Sequence, residues 1–453
     1  MSHEPDPQEL AGLLGGGTVT ELRRLVGGAS REVWSFRLDE RRLVLRRDPP
    51  GAVAWGEGGM EQEGALLRAA AQARMKVPEV LACGPSFLVL SWVDGETLAR
   101  RILRDEGFAT ARHRLVSHFA EQLALLHTRV TPDQVPSVQL TDPVGDVRRR
   151  LDAMGEPHPA VELGLRWLEE NRPPSRDDAV VLHGDFRLGN VMVDADGLAA
   201  VLDWELSHLG DPLQDLGWLC VRSWRFGARL PVAGLGTYEE LAQAYEAAGG
   251  GPVDRDALHW WEVLGTLTWG VMCMVQARSH LEGGVRSVEL AAIGRRACEV
   301  DLDLLDLLPG GEVHPEVLTP EASPVLGSHD RPTAAELLEA VREFLEGLPL
   351  TGHDRFLARV SSRVLTTVER ELQIGPGLAT RHAQRLAFLG VRDDSELAAA
   401  IRSGAVSRAG VMPAVRAAVV DKLLVSDPAQ LMGRYGHQAT ALSMPATKTP
   451  GDT

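Results

Sequence analysis

The stretch VVLHGDFRLGNVMVDADGLAAVLDWE, residues 180–205, constrains this chain more than any other. Two short apolar runs, 179–182 and 198–202, read as buried strands, and each delivers an aspartate, Asp185 or Asp203, at its C-terminal end. Asn190 stands between them. Packing two strands requires none of these three residues. Taken singly, each could end a strand or cap a loop; their joint spacing asks for another explanation.

Composition narrows the setting. A chain of 453 residues exceeds what one core supports, so two or three domains are expected. With 44% hydrophobic and 24% charged residues it has the balance of a globular protein. No apolar run approaches the ~20 residues of a membrane span, and MSHEPDPQEL lacks the regions of a signal peptide. Cys83, Cys220, Cys273 and Cys298 are scattered, with no Cys-x-x-Cys pair, and read as thiols in a reducing, cytoplasmic setting. A net charge of −16 argues against nucleic-acid and anionic-membrane partners. From Asp330 onward the chain holds 15 basic and 14 acidic residues, so the acidity resides in the first 329 and a boundary near 330 is expected.

Residues 17–47 pattern as antiparallel strands, with VWSFRL and RRLVLRR flanking a hairpin turn at Asp39-Glu40. MEQEGALLRAAAQ reads as a helix, VPEVLACG and FLVLSWV as strands, and Asp94-Gly95 as a turn. Helical spacing dominates from Thr97. The expected fold is α+β: a small β-rich lobe over 1–94 and a mainly helical lobe over 95–308, with the 180–205 strand pair inside the latter. A proline-rich linker over 309–332, an all-α module over 333–436 and a disordered tail over 437–453 follow. Thr333-x-x-Glu336 reads as a capping box opening TAAELLEAVREFLEGL; DRFLARVSSRVLTTVEREL and RHAQRLAFLG read as further helices.

Phosphoryl transfer needs few protein parts: a carboxylate to orient the attacking hydroxyl, oxygen ligands for Mg²⁺, and cations on the phosphates. His183-Gly184-Asp185-Phe186-Arg187-Leu188-Gly189-Asn190 resembles the kinase catalytic loop H-x-D-x-x-x-x-N, and Asp203 follows at the end of the next strand. HGDFRLGN with LDWE and GDPLQDLGWL is similar to the aminoglycoside phosphotransferase family of kinase-like enzymes, over roughly residues 15–305. The resemblance implies a two-lobed kinase-like fold that uses ATP, or GTP, with Mg²⁺. It implies Asp185 as catalytic base, Asn190 and Asp203 as metal ligands, and Arg187 at a phosphate-contacting position. His183 orients the loop. On the same match Arg46 takes the place of the phosphate-binding lysine, with Arg47 the alternative, and Glu63 is its helix partner. Gly27 and Gly28 occupy the phosphate loop, and the backbone of Ser91 and Val93 forms the purine hinge.

Two departures bear on mechanism. The arginine of H-R-D is here Gly184, and Asp203-Trp204-Glu205 is followed by no Ala-Pro-Glu, so activity is expected to be constitutive. Asp211 and Asp215 read as helix cap and loop brace. The acceptor is a small hydroxyl compound. FRLGNVMVD…VLDWELSHLGDPLQDLGW resembles the subgroup related to the kinase domain joined to some acyl-CoA dehydrogenases, which implies a 4-hydroxyacyl-CoA acceptor; aminoglycoside, choline or homoserine remain alternatives. Glu205, Arg278, Arg286, Arg295 and Arg296 are the acceptor-side candidates, the arginines for coenzyme A phosphates. The C-terminal module resembles the small helical partner of such kinases. A homodimer is compatible with the sequence, as is a nucleotide-sensing module without turnover.

Overall fold

The computed structural model describes residues 4–25, 31–48, 59–174, 178–282, 286–310 and 333–435. Gly27, Gly28, most of the expected linker and the expected tail lie outside them. The described residues form two units: one of Met1–Asp142 with Arg172–Gly265, the other of Pro143–Asn171 with Thr266–Thr453. The first combines an antiparallel β-sheet with helices and the second is helical, the α+β class anticipated above.

In the first unit, β1 (Val19–Arg24), β2 (Glu32–Leu38), β3 (Arg41–Arg47), β4 (Val80–Gly84) and β5 (Phe87–Ser91) form one antiparallel sheet in the order β1-β2-β3-β5-β4. Leu38 lies opposite Arg41, so Asp39-Glu40 is a two-residue hairpin loop, and Asp39 adopts φ 51°, the left-handed conformation such loops favour. Side chains alternate across the sheet. Trp34, Phe36, Leu43, Leu45 and Val89 form one core with Leu10 of the N-terminal helix Pro7–Leu13. Arg46, opposite Val33 and Leu88, is thereby turned to the other face. The helix Gly59–Gln72 packs there; a side chain at Gly64 would lie 2.6 Å from Cys83 Sγ, so glycine permits the close approach. The helix Ala109–Arg129 contributes Leu115, Phe119 and Leu123 to the interior further along.

The two apolar runs of 180–205 are strands, but they do not pair with each other. β6 (Val180–Leu182) pairs with β9 (His208–Gly210), and β7 (Val191–Val193) pairs with β8 (Leu198–Val201). The reversal at 194–197, where the Asp194 N–H donates to Gly197 O and Gly197 has φ 145°, closes a hairpin inside the stretch and claims β8 for β7.

The helical unit interleaves early and late sequence. The helices Pro143–Met154, Pro159–Glu170 and Ala297–Leu307 share it with Gly352–Phe388, Asp394–Arg402, Arg408–Ser426 and Pro428–Tyr435. Division between the units falls at 265/266, within the single helix Arg255–Leu281, not at the 309–332 segment. Arg402 joins Asp152 (2.7 Å) and the buried Glu162 (2.6 Å), while Arg416 joins Asp306 (2.5 Å) and Leu305 O (2.8 Å). Thr333 and Glu336 make both capping-box bonds of the helix Ala334–Gly347. The two helices expected on either side of QIGPG are one 37-residue helix with Pro376 inside it. An interior proline costs about 3 kcal/mol; Ile374 and Leu378 are buried on both sides of it, so the apolar stripe continues through the break. No helix among the described residues is long and apolar enough to cross a membrane.

Candidate active site

The residues expected to carry the phosphoryl-transfer chemistry and described by the structure belong to the first unit. Asp185 sits in the loop between β6 and β7, where both of its carboxylate oxygens are held. Oδ1 accepts from Arg187 Nε at 2.9 Å and Trp218 Nε1 at 2.8 Å, and Oδ2 accepts from Asn190 Nδ2 at 2.5 Å. Burial raises the Asp185 pKa above its ordinary value, opposed by Arg187 and Trp218. The Arg187 guanidinium also lies 4.7 Å over the Trp224 ring.

The loop is braced from beneath. His183 is fully buried, its Nε2 bound to Leu202 O at 2.9 Å and its Nδ1 accepting the Asp185 N–H at 3.2 Å. Both ring nitrogens are therefore engaged, as an orienting residue requires. Asp215 accepts the backbone N–H groups of His183 (2.8 Å) and Gly184 (2.9 Å) and bonds His127 at 3.0 Å, which continues to Tyr245 OH at 2.8 Å. Burial disfavours the Asp215 carboxylate, but these donors outweigh it and lower its pKa. It is a loop brace, and Asp211 Oδ1 accepts the N–H of Leu213, the first residue of the following helix, at 2.9 Å. Gly184 has φ 79°, and a Cβ there would lie 2.2 Å from Leu206 O, so no larger residue fits where kinases of the H-R-D type carry arginine.

Asp203 ends the segment after β8 with φ 65°, a left-handed conformation that aspartate tolerates better than most residues. Its Oδ1 accepts from Arg46 Nη2 at 2.9 Å. Arg46 Nη1 reaches Glu63 Oε1, whose carboxylate is buried. Arg47 instead joins Glu32 at 2.8 Å, so Arg46 is the arginine turned toward the site. Burial works against the Arg46 charge, but Glu63, Asp203 and Glu205 outweigh it and raise its pKa. Sequence reasoning misses Arg31. Its Nη1 reaches Glu63 Oε2 at 2.5 Å and Glu205 at 3.4 Å, and its Nε reaches Asp48 at 3.1 Å. A lone arginine after small residues has no periodicity or motif to expose it. Glu205 is pushed up to about 7 by burial and then by Asp203.

This donor set fits a hard divalent cation. Asp48, Glu63, Asp203 and Glu205 share Arg31 and Arg46, so four carboxylates meet two guanidiniums. Among the described residues no group of three or more His, Cys, Asp or Glu forms a metal cage. Asn190 and Asp203, an amide and a carboxylate, are the hard oxygen donors that would hold such a cation. At the expected hinge, Ser91 closes β5 through its N–H to Glu79 O at 2.9 Å, whereas the Val93 main chain takes no partner among the described residues.

The acceptor-side arginines belong to the helical unit, and each is engaged. Arg278 bonds Met154 O at 2.6 Å, Arg286 His280 O at 3.2 Å, Arg295 Glu371 at 2.7 Å and Arg296 Glu299 at 3.3 Å.

Parts of the chain are similar to known proteins. Residues 349–430 match a domain of unknown function, DUF6285. Acyl-CoA dehydrogenase family member 10 of Mus musculus is 29% identical over 47% of this chain and 21% of its own length. Acyl-CoA dehydrogenase family member 11 of Rattus norvegicus is 30% identical over 45% of this chain and 28% of its own. The chain thus spans less than a third of these relatives. Among solved structures, a Ralstonia eutropha protein assigned as an aminoglycoside phosphotransferase superposes with TM-score 0.52 at 20% identity, covering 64% of this chain and 93% of that one. Spectinomycin phosphotransferase, solved with ADP and spectinomycin, gives 0.50 at 12%, covering 68% and 100%. Both share the kinase-like fold. The phosphotransferase enzyme family APH matches residues 21–261, more than half of the sequence and a span that includes Arg46, Glu63, Asp185, Asn190 and Asp203; it is to this family of phosphotransferases that the chain belongs.

Proposed function

We propose that this phosphotransferase is an ATP- and Mg²⁺-dependent small-molecule kinase whose acceptor is the hydroxyl of a hydroxyacyl-CoA, of the 4-hydroxyacyl type. The observation that carries the chemistry is the setting of Asp185. Three donors fix its carboxylate while burial raises its affinity for a proton, which suits a group that must take one from a hydroxyl near neutral pH. Arg187 and Trp218 orient that base. Arg46, held by Glu63, offers its second amino group to phosphate, and the Val93 main chain offers a donor and an acceptor to a purine edge. Asn190 and Asp203 would hold Mg²⁺, which supplies positive charge against the phosphate oxygens.

The acceptor class is supported by relatives named as acyl-CoA dehydrogenase family members, to which about half of this chain is similar. The test is nucleotide consumption with a 4-hydroxyacyl-CoA, its free hydroxyacid, an aminoglycoside, choline and homoserine, using ATP or GTP with and without Mg²⁺. Turnover with the thioester well above the free acid is expected. Preference for the aminoglycoside would replace the acceptor assignment, and Mg²⁺-independent binding without turnover on any acceptor would replace the enzyme by a nucleotide sensor.

A further inference from the structure

Glu63 is a single buried carboxylate served by two arginines, one on each oxygen: Arg46 Nη1 on Oε1 and Arg31 Nη1 on Oε2 at 2.5 Å. Its exposure is 1% and that of the Arg31 side chain 8%, so neither is a solvated surface pair. One guanidinium would suffice to compensate this charge. An arginine facing a carboxylate alone tends to a two-pronged pair, with two parallel N–H···O bonds. Such a pair would commit two Arg46 donors to Glu63 and turn its fork away from Asp203. With Oε2 occupied, Arg46 binds Glu63 through one amino group, and its Nη2 extends to Asp203 Oδ1 at 2.9 Å. A lysine at this position, as a point donor, would need no such guard. Arg31 is itself fixed by Asp48 at 3.1 Å and lies 3.4 Å from Glu205, so it cannot swing off Glu63 without leaving two further carboxylates.

We propose that Arg31 is a positioning residue of the nucleotide site: by occupying Glu63 Oε2 it denies Arg46 a two-pronged pair and keeps the Arg46 Nη2 amino group turned to Asp203, with its second N–H left for phosphate. The inference rests on the reading of this cleft as the nucleotide site. Arg31 acts through Glu63 and Arg46, and the pair Arg31/Arg46 works as a unit in which arginine can stand for lysine only because a second arginine is present.

The test is fluorescence titration of the full-length protein with Mg²⁺ and an N-methylanthraniloyl ATP, without acceptor. Arg31→Met should weaken binding about tenfold or more, while KM for the acceptor changes less than twofold. Arg31→Lys, which retains one donor for Oε2, should recover most of the affinity. Adding Arg46→Lys to Arg31→Met should also recover affinity, because a single ammonium cannot form the two-pronged pair. In a Glu63→Gln background, Arg31→Met should have little further effect. Wild-type affinity in Arg31→Met, or an equal loss with and without the Glu63→Gln change, would overturn the inference. If Arg31→Met does not fold, as judged by circular dichroism, Arg31→Ala, which likewise leaves Oε2 without a donor, decides the same question through the Glu63→Gln comparison. Failure of the unaltered protein to bind the nucleotide would overturn the site reading and this inference together; binding with no coupling between positions 31 and 63 would overturn this one alone.

Discussion

Trp218 donates its indole N–H to Asp185 Oδ1 at 2.8 Å, to the oxygen that also receives Arg187 Nε. The helix Leu213–Cys220 thus touches the proposed base directly, while Asp215 of the same helix holds the backbone of the loop that carries it.

Asp185→Asn should lower kcat by about 10²–10⁴, the usual contribution of a positioned base, with nucleotide affinity close to wild type. Trp218→Phe keeps an aromatic ring and removes one donor, so a loss in kcat of roughly tenfold or less is expected. Steady-state kinetics beside nucleotide titration separates the two effects. Near wild-type turnover in Asp185→Asn would exclude it as the base.

Asp203→Ala should behave differently, losing Mg²⁺-dependent nucleotide affinity together with rate, and chelation of the metal should mimic it in the unaltered protein. Calorimetric titration with ATP, with and without Mg²⁺, reads both. Equal affinity in the mutant and wild type in the presence of Mg²⁺ would remove Asp203 from the metal site.

Asp301, buried in the helix Ala297–Leu307, has its carboxyl pushed up to about 6 by burial, opposed only by Lys422. A raised acid favours the folded state while protonated and costs stability once ionised. That stabilisation is present below about pH 4 and lost as pH rises through about 6. Asp301→Asn should therefore raise stability above pH 7 by on the order of 2 kcal/mol, a gain that fades by about pH 4. Thermal melts of both proteins across this pH range test the sign. A constant difference throughout would show that titration of Asp301 is not the cause.

Arg402→Ala would leave Glu162 with Arg148 at 2.6 Å as its remaining partner and free Asp152. A loss of about 1–3 kcal/mol in the helical unit is expected, because Glu162 is buried. Cutting the chain after residue 325 would remove Arg402 and Arg408, which bind Asp152, Glu162 and Glu170, and should destabilise the helices Pro143–Met154 and Pro159–Glu170. Hydrogen exchange over 143–171 reports this. Unchanged protection there after truncation would show that those helices stand without the C-terminal ones.

Legibility follows range along the chain. The hairpin at Asp39-Glu40, the helix Gly59–Gln72 and the capping box at Thr333 are local, and their signals lie within a few residues. The candidate residues Asp185, Asn190 and Asp203 are readable because one short segment carries all three. Arg31 to Glu63, Arg46 to Asp203 and β6 to β9 are pairings across 26 to 157 positions, where nothing in either partner names the other. Pro376 misleads for the opposite reason: a strong local breaker is overridden by burial of Ile374 and Leu378 on either side.

The helical unit takes residues 143–171 from early in the chain and closes on them with Arg402 and Arg408, while Arg416 and Arg434 close on Asp306. On a ribosome adding roughly 5–20 residues per second, the Glu162 carboxylate is made about 10–50 seconds before Arg402 exists. During that interval Leu267 and Leu304 arrive to cover part of the helix Pro159–Glu170, but its cover stays incomplete until the last helices are made, and a nascent chain in this state invites chaperone capture or pairing with a neighbouring chain. Slow synthesis downstream of residue 308 would lengthen the exposure. The order of translation thus makes the yield of this protein sensitive to codons that encode no part of its active site.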